Sequence, residues 1–156
     1  MKINYKTLLI CIAIPLLAGG LSAALTANTM ETFQQLNKPP LTPPGFLFPI
    51  VWTILYTLMG IASYLIVTSG KNQEDIQTAL MAYGLQLFVN ISWPIFFFRF
   101  DWYLFAFFVI LLLWLFIVRT IRLFYDISKP AAYLMIPYLI WVTFATYLNA
   151  GFVALN

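Results

Sequence analysis

Two amides interrupt an otherwise apolar stretch of the chain: Gln86 and Asn90, four residues apart. With Tyr83, Trp93 and Phe97 they recur in steps of three, four, three and four, which is one face of a helix. Amides in a membrane are costly when they face lipid, so this face turns inward. Two roles fit it. The amides can hydrogen-bond between helices, for roughly half to two kcal/mol each. With Tyr83 and Trp93 beside them, they can equally line a ligand site. A second face carries Trp52, Tyr56, Gly60 and Ser63, and a third carries Tyr138, Trp141, Ala145, Leu148 or Asn149, and Phe152. Ala145 leaves room where a larger side chain would fill the face. Buried against one another, the three faces enclose a cavity lined by Trp52, Tyr56, Asn90, Trp93 and Trp141. Tryptophan offers a broad flat surface and a single donor. Such a pocket suits a flat, largely apolar ligand with a few polar groups.

Other chemistries are excluded by residue type. The chain has no histidine and one cysteine, Cys11. That removes histidine-containing zinc sites, Ser-His-Asp triads, histidine-ligated haem and multi-cysteine metal sites, so no metal site is expected. All five Asp and Glu residues fall in loops or at the ends of apolar runs. A proton- or sodium-coupled pump usually needs carboxylates inside the membrane, and no inverted repeat is visible. The net charge of +3 comes from scattered basic residues with no stripe for phosphates to follow, so nucleic acid is not an expected partner.

The elements that position these faces are apolar helices. Of 156 residues, 63% are hydrophobic and 8% charged, against about a quarter charged in soluble domains. The expectation is an all-α membrane protein, a single bundle of five transmembrane helices forming one domain over residues 1–156. The spans are expected at about 7–27, 44–68, 76–98, 102–124 and 131–155. The first could also be read as a secretory signal, since Lys2 and Lys6 precede it and Ala23, Ala24 and Ala27 end it. Its apolar run is long for a signal, which favours a retained helix. Gly19, Ala23 and Ala27 would let helices approach closely, as would Ala79 and Ala82 on the third span. Either set is a candidate dimer interface. A cluster at Pro39, Pro40, Pro43 and Pro44 precedes the second span, where Pro43 or Pro44 would suit a first helical turn. Asn72 or Asp75 would cap the third span. Arg99 to Asp101 is a tight turn, and Pro137 lies just inside the fifth span. Lys2, Lys6, Lys71, Arg119, Arg122 and Lys129 fall on one side of this arrangement, Lys38 and Arg99 on the other. The excess marks the cytoplasmic side. The amino terminus is therefore expected inside, with the first loop and the carboxyl terminus outside.

Three blocks resemble the TspO/MBR family, the tryptophan-rich sensory proteins, whose animal members are the translocator or peripheral-type benzodiazepine receptor proteins. LNKPPLTPPGFLFPIVWTILYTLMGIASY is similar to the family's first loop and second helix, QLFVNISWPIFFF to its third helix and PYLIWVTFATYLN to its fifth. The resemblance implies a five-helix bundle, commonly dimeric, in a bacterial cell membrane. It implies a receptor or sensor binding porphyrins such as protoporphyrin IX, together with synthetic benzodiazepine-receptor-type ligands. Trp52, Asn90, Trp93, Trp141 and Ala145 fall on its pocket positions. Alternatives within the same resemblance are transport of tetrapyrroles and light-driven porphyrin degradation, the latter with Trp52 and Trp141 as redox partners. No cofactor is implied, because a metal-free porphyrin ligand needs no axial ligand. Two departures stand out. Thr32 and Phe33 replace an aromatic pair, and Leu41 stands where tryptophan is frequent, so the loop is less aromatic than the family pattern. The sterol motif of animal members needs a basic residue after the tyrosine matching Tyr147, and none follows it here.

Overall fold

The computed structural model describes residues 2–156. Asn4 opens the first helix, α1 (Tyr5–Leu25), by accepting the Thr7 N–H at 3.2 Å. Pro15 lies inside α1 and cannot donate to the Cys11 carbonyl, so that turn is stripped of one hydrogen bond. Gly60 of α3 (Leu47–Val67) fits against this spot. A Cβ on Gly60 would stand 2.5 Å from the Ile12 Cα and 2.8 Å from the Cys11 oxygen, so α1 and α3 meet nearly backbone to backbone. Between them the first loop carries a short helix, α2 (Met30–Gln35).

The second span starts later than expected. Pro43 and Pro44 both precede the helix, and Pro49 occupies its first turn, where a missing donor leaves nothing unpaired. Asn72, not Asp75, caps α4 (Gln73–Pro94) by accepting the Glu74 N–H at 2.9 Å, and Asp75 sits in the first turn. Pro94 ends α4 as a regular helix because it cannot donate to the Asn90 carbonyl. The chain continues as a π-helical turn, Ile95–Arg99. It then reverses at Asp101, whose φ is 56°, into α5 (Tyr103–Ile127). The fifth span is broken: α6 (Lys129–Leu134) stops at Met135, and α7 (Ile136–Leu155) restarts with Pro137 in its first turn.

Among the described residues, five helical segments are long and apolar enough to cross a membrane: Tyr5–Leu25, Leu47–Val67, Gln73–Arg99, Tyr103–Ile127 and Lys129–Leu155. Their outward faces carry Leu17, Phe88, Phe108, Leu115 and Ile140, all more than half exposed. Water could not cover that much apolar surface, whereas lipid does. Inside, one core runs along α3, α4, α5, α6 and α7 around Met59, Ile110, Leu113, Ile117, Phe124 and Met135. A second, smaller core gathers Phe33, Phe97, Ala106, Leu148 and Phe152 at the end of the bundle next to the first loop.

Candidate functional site

A cavity of about 260 Å3 lies at the first-loop end of the bundle. Trp52, Tyr56, Phe48 and Pro49 of α3 form one wall, and Asn90, Trp93 and Pro94 of α4, with Phe98 of the π turn, form another. Trp141 and Ala145 of α7 close a third. Trp52 stacks on Tyr56, with ring centroids 5.4 Å apart and planes 29° from parallel. Phe48 meets Trp141 edge-on at 6.0 Å, and Phe98 meets Trp93 the same way at 6.0 Å. These ring-on-ring contacts make the walls largely apolar.

One polar chain runs from the wall into the core. The Tyr56 hydroxyl donates to Asn90 Oδ1 at 2.6 Å. The Asn90 amide donates from Nδ2 to the Tyr138 oxygen at 2.8 Å. Tyr138 in turn donates to Gln86 Oε1 at 2.7 Å. Gln86 ends the chain, with Nε2 4.0 Å from the Met59 sulfur. Two of the links join α4 to α3 and two join α4 to α7, so the chain ties the three walls together. A separate polar link fixes Trp93, whose indole N–H donates to Asn149 Oδ1 at 2.9 Å, while Asn149 donates to the Tyr103 carbonyl at 2.9 Å.

The model of the TspO/MBR family matches residues 11–155 of this chain. The chain belongs to the TspO/MBR family. It is 38% identical over 157 aligned positions to the tryptophan-rich protein TspO of Chlorobaculum tepidum, covering 100% of this chain and 99% of that one. It is 37% identical to the tryptophan-rich sensory protein of Cereibacter sphaeroides over 81% of this chain and 77% of the relative. It is 34% identical to the translocator protein of Bos taurus over 87% and 82% respectively.

In this TspO/MBR chain, six of the ten residues singled out for a ligand site converge on the cavity: Trp52, Tyr56, Asn90, Trp93, Trp141 and Ala145. The other four stand behind it. Gln86 and Tyr138 are closed off within the relay, at 0% and 1% exposure. Tyr83 stacks on Phe124 at 5.9 Å, deeper in the core, and its hydroxyl has no partner. Leu148 belongs to the smaller aromatic core with Phe33 and Phe152. Ser63, on the face of Trp52 and Tyr56, donates to the Gly60 carbonyl at 2.8 Å and does not reach the cavity.

The three-walled picture needs a correction, since a fourth wall is present. Gly19, Ser22 and Ala23 of α1, and Thr26 and Ala27 just past its end, line the cavity, with Met30 of α2 above them. The small residues at spacings of four, which look like a helix interface in the sequence, leave the space the cavity occupies. Gly19 is also where the Tyr56 ring is accommodated, because a Cβ there would strike that ring. Of the other candidates for contact between copies, Ala79 is fully buried within this chain and Ala82 is half-buried. Phe98 takes the wall position that the periodic face gives to Phe97. The π turn adds a residue, which turns Phe97 into the smaller core.

The first loop is fastened over this end. Phe33 is 4% exposed and packs on Phe48, Phe98 and Phe152 at 5.5 to 6.1 Å. Asn37 and Asn156 exchange hydrogen bonds, Asn37 N–H to Asn156 Oδ1 at 3.2 Å and Asn156 Nδ2 to the Asn37 carbonyl at 2.9 Å. Tyr147 donates to the Pro40 carbonyl at 2.7 Å, and Pro39 seats on Gly151. Thr32 and Leu41, which stand in place of aromatics, are exposed and do not line the cavity.

Proposed function

We propose that this chain is an integral membrane receptor or sensor that binds porphyrin-like tetrapyrroles and other flat apolar ligands, including synthetic benzodiazepine-receptor-type compounds, in the cavity under the first loop. The observation that carries the reading is the convergence of Trp52, Tyr56, Trp93 and Trp141 on one space with few polar groups on its walls. Flat aromatic rings held edge-on and stacked suit a flat aromatic guest. With no histidine in the chain, a metal-free tetrapyrrole is the natural form of such a guest. At about 260 Å3 the cavity is near the low end of ligand sites, roughly 300 Å3. Binding a whole porphyrin therefore requires the small-residue wall of α1 or the first loop to move outward. The names of two relatives, sensory protein and translocator protein, agree with sensing or movement of the ligand. We place the amino terminus in the cytoplasm and the first loop outside a bacterial cell membrane, from the distribution of Lys and Arg. A homodimer is part of the same reading.

The test is protoporphyrin IX titration in detergent, followed by the shift of the porphyrin absorbance band. The expected result is saturable binding that the Trp52→Phe, Trp141→Phe double variant weakens at least tenfold. Unchanged binding in that variant sinks the assignment. A second reading rests on Trp52 and Trp141 both standing on the cavity wall: light-driven oxidation of the bound porphyrin, in which dissolved dioxygen takes the electrons the excited ring loses and the two indoles stand beside the ring as redox partners. It predicts a product spectrum under illumination that needs both dioxygen and the two tryptophans. Equal porphyrin loss in empty detergent rejects it.

A further inference from the structure

A second concave space, of about 380 Å3, lies between the start of α5 and the end of α7. The chain from Asp101 to Phe105 lines one side of it, and Val153 and Asn156 line the other. It shares no lining residue with the cavity under the first loop. Asp101 supplies its charge. The Tyr103 hydroxyl donates to Asp101 Oδ1 at 3.2 Å. Among the described residues that is the only side-chain hydrogen bond the carboxylate makes, and no basic side chain bonds to it. A carboxylate offers about four lone-pair sites, so most of its accepting capacity is left over. Asn156 does not use it, because its amide is tied at both ends, to Asn37 and to the Phe152 carbonyl.

Aromatic rings stand beside this charge. Trp102 and Phe105 meet edge to face at 5.8 Å, and Phe96 packs on both, at 6.0 and 4.7 Å. Trp102 and Phe105 are nevertheless about half exposed, so ring surface remains for a guest. A ring face attracts a cation, and an unpaired carboxylate attracts it further while repelling an anion. The position in the fold says where the cation comes from. Asp101 joins the spans Gln73–Arg99 and Tyr103–Ile127, which puts it at the level of the lipid headgroups. Leu104, Phe108, Leu111 and Leu115 follow in steps of four, three and four, and all are exposed. This lipid-facing stripe of α5 begins at the concave space, so acyl chains can run down it from a headgroup seated there. Interfacial rings alone would serve any lipid. The carboxylate among them makes the space selective for a cationic head.

We propose that the space between α5 and α7 is a phospholipid headgroup site that selects the primary ammonium of phosphatidylethanolamine. Asp101 accepts the ammonium N–H donors, and Trp102 and Phe105 flank the charge. A primary ammonium on a carbon chain carries three such donors, which suits a carboxylate with lone pairs to spare. The trimethylammonium of phosphatidylcholine brings the charge without a donor, and phosphatidylglycerol brings no cation. The site is separate from the cavity under the first loop and does not rest on the porphyrin reading.

The test strips the full chain of lipid in detergent and measures the binding of single lipids by native mass spectrometry, with the acyl chains held constant. The series is phosphatidylethanolamine, its N-methyl and N,N-dimethyl forms, phosphatidylcholine and phosphatidylglycerol. Phosphatidylethanolamine is expected to bind about threefold more tightly than phosphatidylcholine, the worth of one exposed charge-assisted contact. It is expected to bind about tenfold more tightly than phosphatidylglycerol, which also forgoes the ring contact. The methylated forms should fall in descending order between the first two. Asp101→Asn removes the charge and keeps the backbone, since asparagine readily adopts the left-handed conformation that Asp101 holds at φ 56°. It should abolish the preference for phosphatidylethanolamine while leaving the melting temperature unchanged. Trp102→Leu should weaken both amine lipids about two- to threefold. The methylation series is read on the unsubstituted chain and needs no variant. Equal binding of phosphatidylethanolamine and phosphatidylcholine, a preference for phosphatidylglycerol, or a phosphatidylethanolamine preference that survives Asp101→Asn overturns the proposal.

Discussion

The two ends of this bundle are made from the same helices and the same kinds of side chain, yet one is hollow and the other solid. Toward the far end, the core is filled by Met59 and Ile66 of α3 and by Ile110, Leu113, Ile117 and Phe124 of α5, all at 0 to 2% exposure. Toward the first loop, α1 and the turn after it present Gly19, Ala23 and Ala27, α7 presents Ala145, and Pro94 bends the end of α4 away from a regular helix. Aromatic residues line both ends. What differs is the size of their neighbours. Large side chains facing large ones interdigitate and leave nothing, whereas large rings facing glycine and alanine cannot collapse onto them. The polar relay crosses the boundary: Asn90 stands on the wall, and Gln86, one turn deeper, is closed off.

The contrast can be broken most severely at the α1–α3 contact. Gly60→Leu drives a side chain into the α1 backbone, which cannot yield as a flexible side chain would. We expect a loss of about 3 kcal/mol or more, read as a large fall in the melting temperature in detergent. A variant as stable as the parent would mean that α1 is not held there. Next come the two amides. Asn90→Leu leaves the Tyr56 hydroxyl and one side of Tyr138 unpaired, and Gln86→Leu strands the Tyr138 hydrogen. Each should lower stability by about 1–3 kcal/mol in denaturant titrations. Asn90→Leu should also lower porphyrin affinity by at least tenfold, and Gln86→Leu by less than threefold. Reversal of that order would place Gln86 on the wall.

A matched pair of enlargements sharpens the comparison further. Ala62 is 0% exposed in the solid half, so Ala62→Leu should cost about 1–3 kcal/mol by overpacking. Ala145→Leu projects into the cavity and should change stability by under about 1 kcal/mol while weakening porphyrin binding severalfold. Equal destabilisation by the two would show that the cavity does not persist in the membrane. The smallest effect lies in the first loop. Leu41 holds φ at 71° with its side chain 81% exposed, a backbone state that costs an L-residue roughly 1 kcal/mol and brings no packing in return. Leu41→Gly should stabilise the protein by about 0.5 kcal/mol, after the greater freedom of glycine in the unfolded chain is subtracted. Thermal unfolding of the pair checks it.

The five spans could be read in the sequence because each is a long apolar run bounded by charge or proline. Their ends were less legible. Pro43, Pro44 and Pro49 all satisfy the same rule for a first helical turn, and only packing of the loop selects Pro49. Periodicity found three walls of the cavity, since it reports which side of a helix faces inward. It does not report depth, which is why Gln86 and Tyr138 share a face with wall residues and yet lie behind them. The fourth wall was hidden by its own chemistry. Glycine and alanine at spacings of four describe a close contact and an empty space equally well. Phe98 was hidden because the count along α4 assumes a regular helix, and the π turn after Pro94 breaks the count.

That same turn governs how the chain can change length. Removing one residue from a regular helix rotates everything beyond it by about 100°. A deletion between Gln73 and Pro94 would swing Asn90 or Trp93 off the wall, or misdirect all of α5 that follows. The segment Ile95–Arg99 already holds one residue more than an α-helical turn needs. A single deletion there can be absorbed by tightening to ordinary helix, leaving the Asp101 reversal and α5 in register. Natural variation in the length of this span should therefore concentrate in those few residues and spare the rest of the helix.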